Sequence, residues 1–321
     1  MNELLRIGTS EMIVLHNGQD REAWIKSRNQ GVGASEVAML FDCGYSESSK
    51  LDLYARKIET EGLPPFEETE PILWGKLLED AIICELAKRA ELGAESEGWQ
   101  RNKCLLGNAA YPHLIATPDG MTSDCEPIEV KNICHMPHKE EWNDGEIPLK
   151  YQLQLQTQMA VMGATRGIFG ALMFGGRLVW NWFDRDDVLI AEIRNRAIDF
   201  WGHVERREPP ESNGSKSAHD AAFALSSTIP PVEFFHGEIE QYLLDWEAGK
   251  EEEKLANAAA KKAKAKHCAA ADALTLKMGS ARHAITTTGW AFEKSIKERA
   301  GFYVNPSRTE KLNIEPPKGL R

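Results

Sequence analysis

A chain of 321 residues, 42% of them hydrophobic, is long enough for a buried core and suggests two domains, or one domain with a long appendage. No run of about 18 apolar residues is present to cross a membrane, residues 1–10 lack the basic-then-apolar order of a signal peptide, and six scattered cysteines without a C-x-x-C pair fit reduced thiols in a cytoplasm. The net charge of −11 excludes capture of a polyanion by the field of the whole molecule; the acidic excess lies in residues 1–215, and residues 216–321 are slightly basic.

In chain order, residues 1–19 read as a short strand and turn, and residues 21–28 as a helix with Trp24 and Ile25 facing inward. A glycine-rich link, Gln30-Gly31-Val32-Gly33-Ala34-Ser35, follows, and Ser35 is placed to cap a short helix over residues 36–40. A hydroxyl at a helix N-terminus with Arg28 nearby makes an anion site; the plainer alternatives are a simple cap and a surface ion pair. Residues 48–57 suggest a further helix, and residues 59–71 an acidic, proline-containing loop. Residues 72–90 form the strongest helical pattern, with Lys76, Asp80 and Lys88 on its polar stripe. Glu79 lines up instead with Gly75, Ile82 and Leu86, and an acid facing a core is costly unless it is paired or bound to metal.

Residues 113–117 read as a strand running into the turn Pro118-Asp119-Gly120, and Pro127-Ile128-Glu129-Val130-Lys131 as a second strand. Alternation puts Ile128 and Val130 on one face and Glu129 and Lys131 on the other. The turn can bring Asp119 beside the charged pair. Two carboxylates suit a hard cation such as Mg²⁺, which polarises a phosphoryl oxygen and acidifies a bound water, and an ammonium can stabilise charge on a phosphate. The alternative is an exposed hairpin with a surface ion pair. Cys134-His135-Met136-Pro137-His138 hints at zinc, but no second ligand pair has suitable spacing. Residues 151–163 alternate at first like a strand, yet Gln, Leu, Met and Ala favour a helix, with Tyr151, Leu155, Met159 and Met162 on one stripe and Gly163 at the end. Residues 165–174 and 177–184 read as a hairpin joined by Gly175-Gly176, and residues 186–207 as an amphipathic helix.

Residues 209–232, with Pro209-Pro210, a Ser-Asn-Gly-Ser run and Pro230-Pro231, read as a linker. Residues 233–321 then form a helical arm and a small β element, the arm being Ala-, Glu- and Lys-rich to about Met278 and the β element marked by Ile285-Thr286-Thr287-Thr288 and Phe302-Tyr303-Val304. Residues 1–208 are the catalytic domain of this division.

Several blocks of residues 20–206 together resemble a known family: Trp24 with Arg28, Gly33-Ala34-Ser35-Glu36-Val37, Leu51 with Tyr54, Trp74-Gly75-Lys76 with Glu79, Thr117-Pro118-Asp119-Gly120, Glu129-Val130-Lys131, and Tyr151 with Gln154 and Gln156. In this order they resemble the YqaJ-type viral recombinases, which include the phage lambda exonuclease, within the PD-(D/E)XK nuclease superfamily. The resemblance implies an α/β fold with a mixed central sheet flanked by helices. It implies a metal-dependent 5′→3′ exonuclease acting on the ends of linear double-stranded DNA and leaving 3′ single-stranded tails for phage-type recombination. Asp119, Glu129 and the carbonyl of Val130 would hold Mg²⁺, for which Mn²⁺ can substitute. Glu79 would serve a second ion, Lys131 and Gln154 would position water and phosphate, and Arg28, Ser35 and Thr117 would hold the 5′-phosphate. The resemblance further implies a homo-oligomer, a trimeric ring, working beside a single-strand annealing protein in the cytoplasm of a bacterial or phage-infected cell. The cysteine spacing argues against the iron–sulfur cluster of some relatives in the superfamily. An endonuclease of the same superfamily and a non-catalytic DNA-end or partner-binding module are the alternatives.

Overall fold

A computed structural model describes residues 4–7, 10–44, 48–65, 68–134, 147–229, 236–288, 290–299 and 307–315. The chain divides into two units, Met1–Pro230 and Pro231–Arg321. The first contains β1 (Leu4–Ile7), β2 (Ser10–His16), α1 (Arg21–Arg28), β3 (Val32–Gly33), α2 (Val37–Leu40), α3 (Lys50–Lys57), α4 (Glu70–Arg89), β4 (Trp99–Arg101), β5 (Leu105–Asn108), β6 (Leu114–Ala116), β7 (Gly120–Thr122), β8 (Pro127–Ile133), α5 (Leu149–Met162), β9 (Arg166–Met173), β10 (Arg177–Asp184), α6 (Asp187–Arg206) and α7 (Lys216–Thr228). The second contains α8 (His236–Met278), β11 (His283–Ile285), β12 (Ala291–Arg299) and β13 (Ser307–Glu315), the three strands forming one antiparallel sheet. Phe302-Tyr303-Val304, which marked this β element in the sequence, lies outside the described residues.

The fold of the first unit is mixed α/β, as expected. Its strands form two five-stranded sheets, β1-β2-β5-β6-β3 and β10-β9-β8-β7-β4. Both are mixed, with β3 parallel to β6 in one and β8 parallel to β9 in the other. The chain passes between the sheets after β4 and again after β6, and the second passage carries Asp119. Asn102 ties the two passages together. Its Nδ2 donates to the carbonyls of Cys104 (2.9 Å) and Pro118 (3.1 Å), and its backbone N–H donates to the Asp119 carbonyl (3.1 Å).

Helix α4 packs Ile82, Ile83, Leu86 and Ala87 against Ile128 and Val130 of β8, with Ile168, Leu178 and Trp99 completing the cluster. Helix α5 packs against strands of both sheets and is buried at every position from 153 to 162. A helix enclosed on all sides needs no polar face, and this is why a strand-like alternation survives in its sequence. Gly163, at φ +70°, ends it in the left-handed conformation. Gln156 then fastens α5 to the next element, since Nε2 donates to the Asp184 carbonyl (2.8 Å) and Oε1 accepts from the Asp186 N–H (2.9 Å).

Three sequence expectations are corrected. Ile25 is 45% exposed, and α1 buries no residue; Trp24 is half-buried with the Arg28 guanidinium 5.4 Å from its ring. Ser35 does not cap α2: Glu36 occupies that position, with no side-chain cap bond, and its carboxylate turns back to accept from the Gly33 N–H at 2.8 Å. The stretch 209–232 is not simply a linker, because residues 216–228 form α7 within the first unit. Ser215 caps α7 by accepting from the Ala218 N–H (3.2 Å), Ser217 donates to Ser49 at the cap of α3 (3.3 Å), and Ala218, Ala221 and Ala224 are buried. The prolines and the Ser-Asn-Gly-Ser run mark the ends of this helix. A charge at the fully buried Ala221 would have no partner, so Ala221→Asp should destabilise the protein by about 2 kcal/mol or more, read as a lowered midpoint in urea; an unchanged midpoint would show that α7 is not packed.

Candidate active site

The site is built on β8. Because Ile128 and Val130 are committed to the α4 cluster, alternation sends Glu129 and Lys131 to the opposite face, under α5. Glu129 is 1% exposed. A carboxylate this deep must be matched by donors, and three supply them. Lys131 Nζ pairs with Oε1, Gln154 Nε2 donates to Oε1 at 2.6 Å, and Gln158 Nε2 donates to Oε2 at 2.6 Å.

Asp119 stands at the edge of the same strand, where its Oδ2 accepts from the Val130 N–H at 2.8 Å. The N–H and C=O of one strand residue point to the same side, so the Val130 carbonyl also faces the side of β8 on which Asp119 lies. Burial first, then the Glu129 charge, push the Asp119 carboxyl well above its usual range, and Lys131 offsets only part of this. Glu79 belongs to the same electrostatic group: partial burial and then Glu129 raise its carboxyl. It does not face the core as the helical pattern suggested, since the residue is solvent-exposed at the rim. Its carboxylate therefore meets water and the site together.

With all three carboxylates ionised, Lys131 balances one of them and two negative charges remain, the charge of one divalent cation. The donor chemistry therefore fits a hard cation: two carboxylates and a main-chain carbonyl. Among the described residues no group of three or more His, Cys, Asp or Glu side chains is arranged to hold a metal ion, so Glu79 stands apart from the Asp119–Glu129 pair. Of the Cys134-to-His138 run only Cys134 is described, and it is exposed; the rest lies outside the described residues.

Arg28 and Ser35 come together, with Arg28 Nη2 donating to Ser35 Oγ at 3.1 Å. A buried network behind them was not read from the sequence. Glu36 takes Arg28 at 3.2 Å on one oxygen, and on the other takes Lys57 at 2.8 Å and the Gly33 N–H. Lys57 also donates to the Arg28 carbonyl at 3.0 Å, and its side chain is only 2% exposed. Burial pushes the Glu36 carboxyl up, but Lys57 and Arg28 outweigh it and hold the group below its ordinary value. For Lys57 burial dominates, and its ammonium is pushed down despite Glu36. The network retains one positive charge, on the Arg28 side. Thr117 follows β6, whose parallel register with β3 pairs Gly33 with Ile115, and Ser35 lies beyond the end of β3, in the turn before α2. A cavity of about 60 Å³ lined by Ser35, Ser48, Lys131, Lys150 and Gln154 opens between this group and the Glu129 site.

Gln154 is thus at the site, although through Glu129. Gln158 and Asn102 are further members not identified from the sequence. For Gln158 the clue was its spacing from Gln154, four residues on along a helix; for Asn102 no pattern in the sequence points to the turn it holds.

Residues 23–165 match the family model of the YqaJ-like viral recombinase domain. The chain is 27% identical over 215 residues to the uncharacterized protein YqaJ of Bacillus subtilis (strain 168), a match that takes in 66% of this chain and 65% of that relative, just under two thirds of its length. Among solved structures it is similar to LHK-Exo in complex with dAMP, at 23% identity and a TM-score of 0.48 over 58% of this chain and 94% of the other. The alkaline exonuclease LHK-Exo from Laribacter hongkongensis gives a TM-score of 0.47 at the same identity and coverage. A phage related exonuclease from Haemophilus somnus 129PT gives 0.41, at 13% identity over 55% of this chain and 94% of the other. The matched segment runs from α1 to just past α5 and includes Asp119, Glu129, Lys131 and Gln154, and over this segment, less than half of its length, the chain is similar to the YqaJ-like viral recombinase domain.

Proposed function

We propose that this protein is a metal-dependent deoxyribonuclease, a 5′→3′ exonuclease that degrades linear double-stranded DNA from its ends and leaves 3′ single-stranded tails for recombination. The observation that carries the proposal is the pairing of the buried Glu129 with the half-buried Asp119, with Lys131 on the same strand face as Glu129. Asp119, Glu129 and the Val130 carbonyl would hold Mg²⁺, with Mn²⁺ as substitute. Such a cation, when bound, polarises a phosphoryl oxygen and lowers the pKa of a bound water. Lys131 meets the charge that develops on the phosphate, and Gln154 keeps Glu129 oriented. Glu79, exposed at the rim, acts on a second ion through water. Arg28, Ser35 and Thr117 hold the 5′-phosphate of the DNA end, and the positive charge left by the Glu36–Lys57 network favours that anion. A ring-shaped homotrimer would line a channel with such local charge while the exterior stays acidic, and a single-strand annealing protein would receive the tails in the cytoplasm.

Incubation of linear and circular duplex with Mg²⁺ tests the reaction. Nucleotides should be released from the linear form and not from the circle; cutting of the circle would favour an endonuclease, and no release from either a binding module. Asp119→Ala and Lys131→Ala should each lower the rate by a factor of about 10³ or more while the proteins remain folded. Full activity in either would remove these residues from the mechanism.

Linear duplex bearing a 5′-phosphate should be degraded faster than duplex bearing a 5′-hydroxyl. Arg28→Ala should remove that preference, at a cost of about 10-fold or more on the phosphorylated end. Equal rates for the two ends with the unaltered protein would refute the pocket.

The Asp119 carboxyl also sets a pH dependence. Its folded-state value is raised, so the folded protein keeps this proton to higher pH than the unfolded chain, and stability is lost as pH rises through the raised value. A divalent cation competes with that proton. Mg²⁺ should therefore raise the melting temperature more at about pH 8.5 than at about pH 5.5, and Asp119→Asn should cancel the difference. An equal rise at both pH values in the unaltered protein would show that no proton on Asp119 competes with the cation over this range.

A further inference from the structure

Helix α5 carries a second glutamine that the proposed chemistry does not use. Gln158 lies one turn beyond Gln154, so the two amides leave the same face of the helix and meet β8. They divide one carboxylate between them, Gln154 on Oε1 and Gln158 on Oε2, both at 2.6 Å. Gln158 is fully buried, and its own amide oxygen has no hydrogen-bond partner among the described residues. Burying an amide oxygen unsatisfied is a standing cost to the fold. Its neighbours show how this helix otherwise fills space: Leu153, Leu155, Met159 and Met162 are all buried and apolar. A methionine at 158 would occupy similar volume without an orphaned oxygen. Packing therefore does not account for the amide, whereas the bond to Glu129 does.

We propose that Gln158 is a positioning residue that, with Gln154, fixes the Glu129 carboxylate for cation binding. A carboxylate offers about four lone-pair sites. Lys131, Gln154 and Gln158 take three of them. The remaining direction would be left for a cation. Without Gln158 the Oε2 atom loses the amide that donates to it, and the carboxylate would be free to rotate. The inference rests on the metal-dependent reading above, and the experiment separates the two.

Mn²⁺ is titrated calorimetrically into the metal-free full chain as unaltered protein and as Gln158→Met, and kcat, KM on linear duplex and melting temperature are measured for both. Gln158→Met should bind Mn²⁺ about 10-fold more weakly and lose about 10- to 100-fold in kcat, the range seen when a hydrogen-bond partner of a metal ligand is removed. KM for DNA should change less than about twofold, because no DNA contact is lost, and the melting temperature should move by less than about 4 °C. Mn²⁺ affinity and kcat within about twofold of the unaltered protein in folded Gln158→Met would overturn the proposal. So would a fall of about 10 °C or more in melting temperature in both Gln158→Met and Gln158→Leu, which would assign the amide to packing. Should the unaltered protein neither bind Mn²⁺ nor cleave DNA, the nuclease reading itself fails and takes this proposal with it.

Discussion

A carboxylate with 1% exposure cannot be left alone in a protein interior, and the first unit is arranged around that requirement at Glu129. Strand β8 delivers the charge inward because the two apolar residues flanking it, Ile128 and Val130, are claimed by α4 on the other face. Helix α5 then has to supply donors where most buried helices supply methyl groups. Its two amides, together with Lys131 from β8 itself, replace the water that Glu129 has lost. Moving β8 by one residue would exchange the two faces and bring down both the cluster and the site.

Asp119 reaches this charge from a different layer. It sits where the chain leaves one sheet for the other, and Asn102, at the neighbouring passage, holds that turn by donating from its side-chain amide and its backbone N–H to the carbonyls of Pro118 and Asp119. The close approach of two carboxylates is therefore imposed by backbone connections, and it adds to burial, the larger cause, in raising the Asp119 carboxyl. Repulsion of this kind persists in a fold only if packing over-determines the backbone around it. A site short of positive charge suits a cation, and the same shortage makes the cation's affinity depend on pH.

The Arg28–Glu36–Lys57 network answers an opposite need. Two cations share one carboxylate, so one positive charge is left over, and Lys57 lies too deep to present it. The excess falls to Arg28, beside the Ser35 hydroxyl. In an acidic chain this is a local exception to the overall field, and at such short range a local charge counts for more than the net −11.

Much of the site was legible before any coordinates. Period-two alternation alone put Ile128 with Val130 and Glu129 with Lys131, because a strand has two faces and no other choice. Helix α4, the β9–β10 hairpin and α6 were legible for the same reason, since their patterns repeat within a few residues. Helix α5 was legible from its residue types, its apolar stripe and Gly163, but burial on every side hid the role of Gln158, since without a wet face a polar residue facing the site does not stand out. Flanking prolines and a Ser-Asn-Gly-Ser run disguised α7, whose buried stripe is only alanine. What the chain determined by itself was which side chains share a face, a matter of local geometry. Tertiary structure alone decided which faces meet: Asp119 with β8, Gln158 with Glu129, Lys57 with Glu36. Those meetings depend on contacts between residues far apart in sequence, and no periodicity records them.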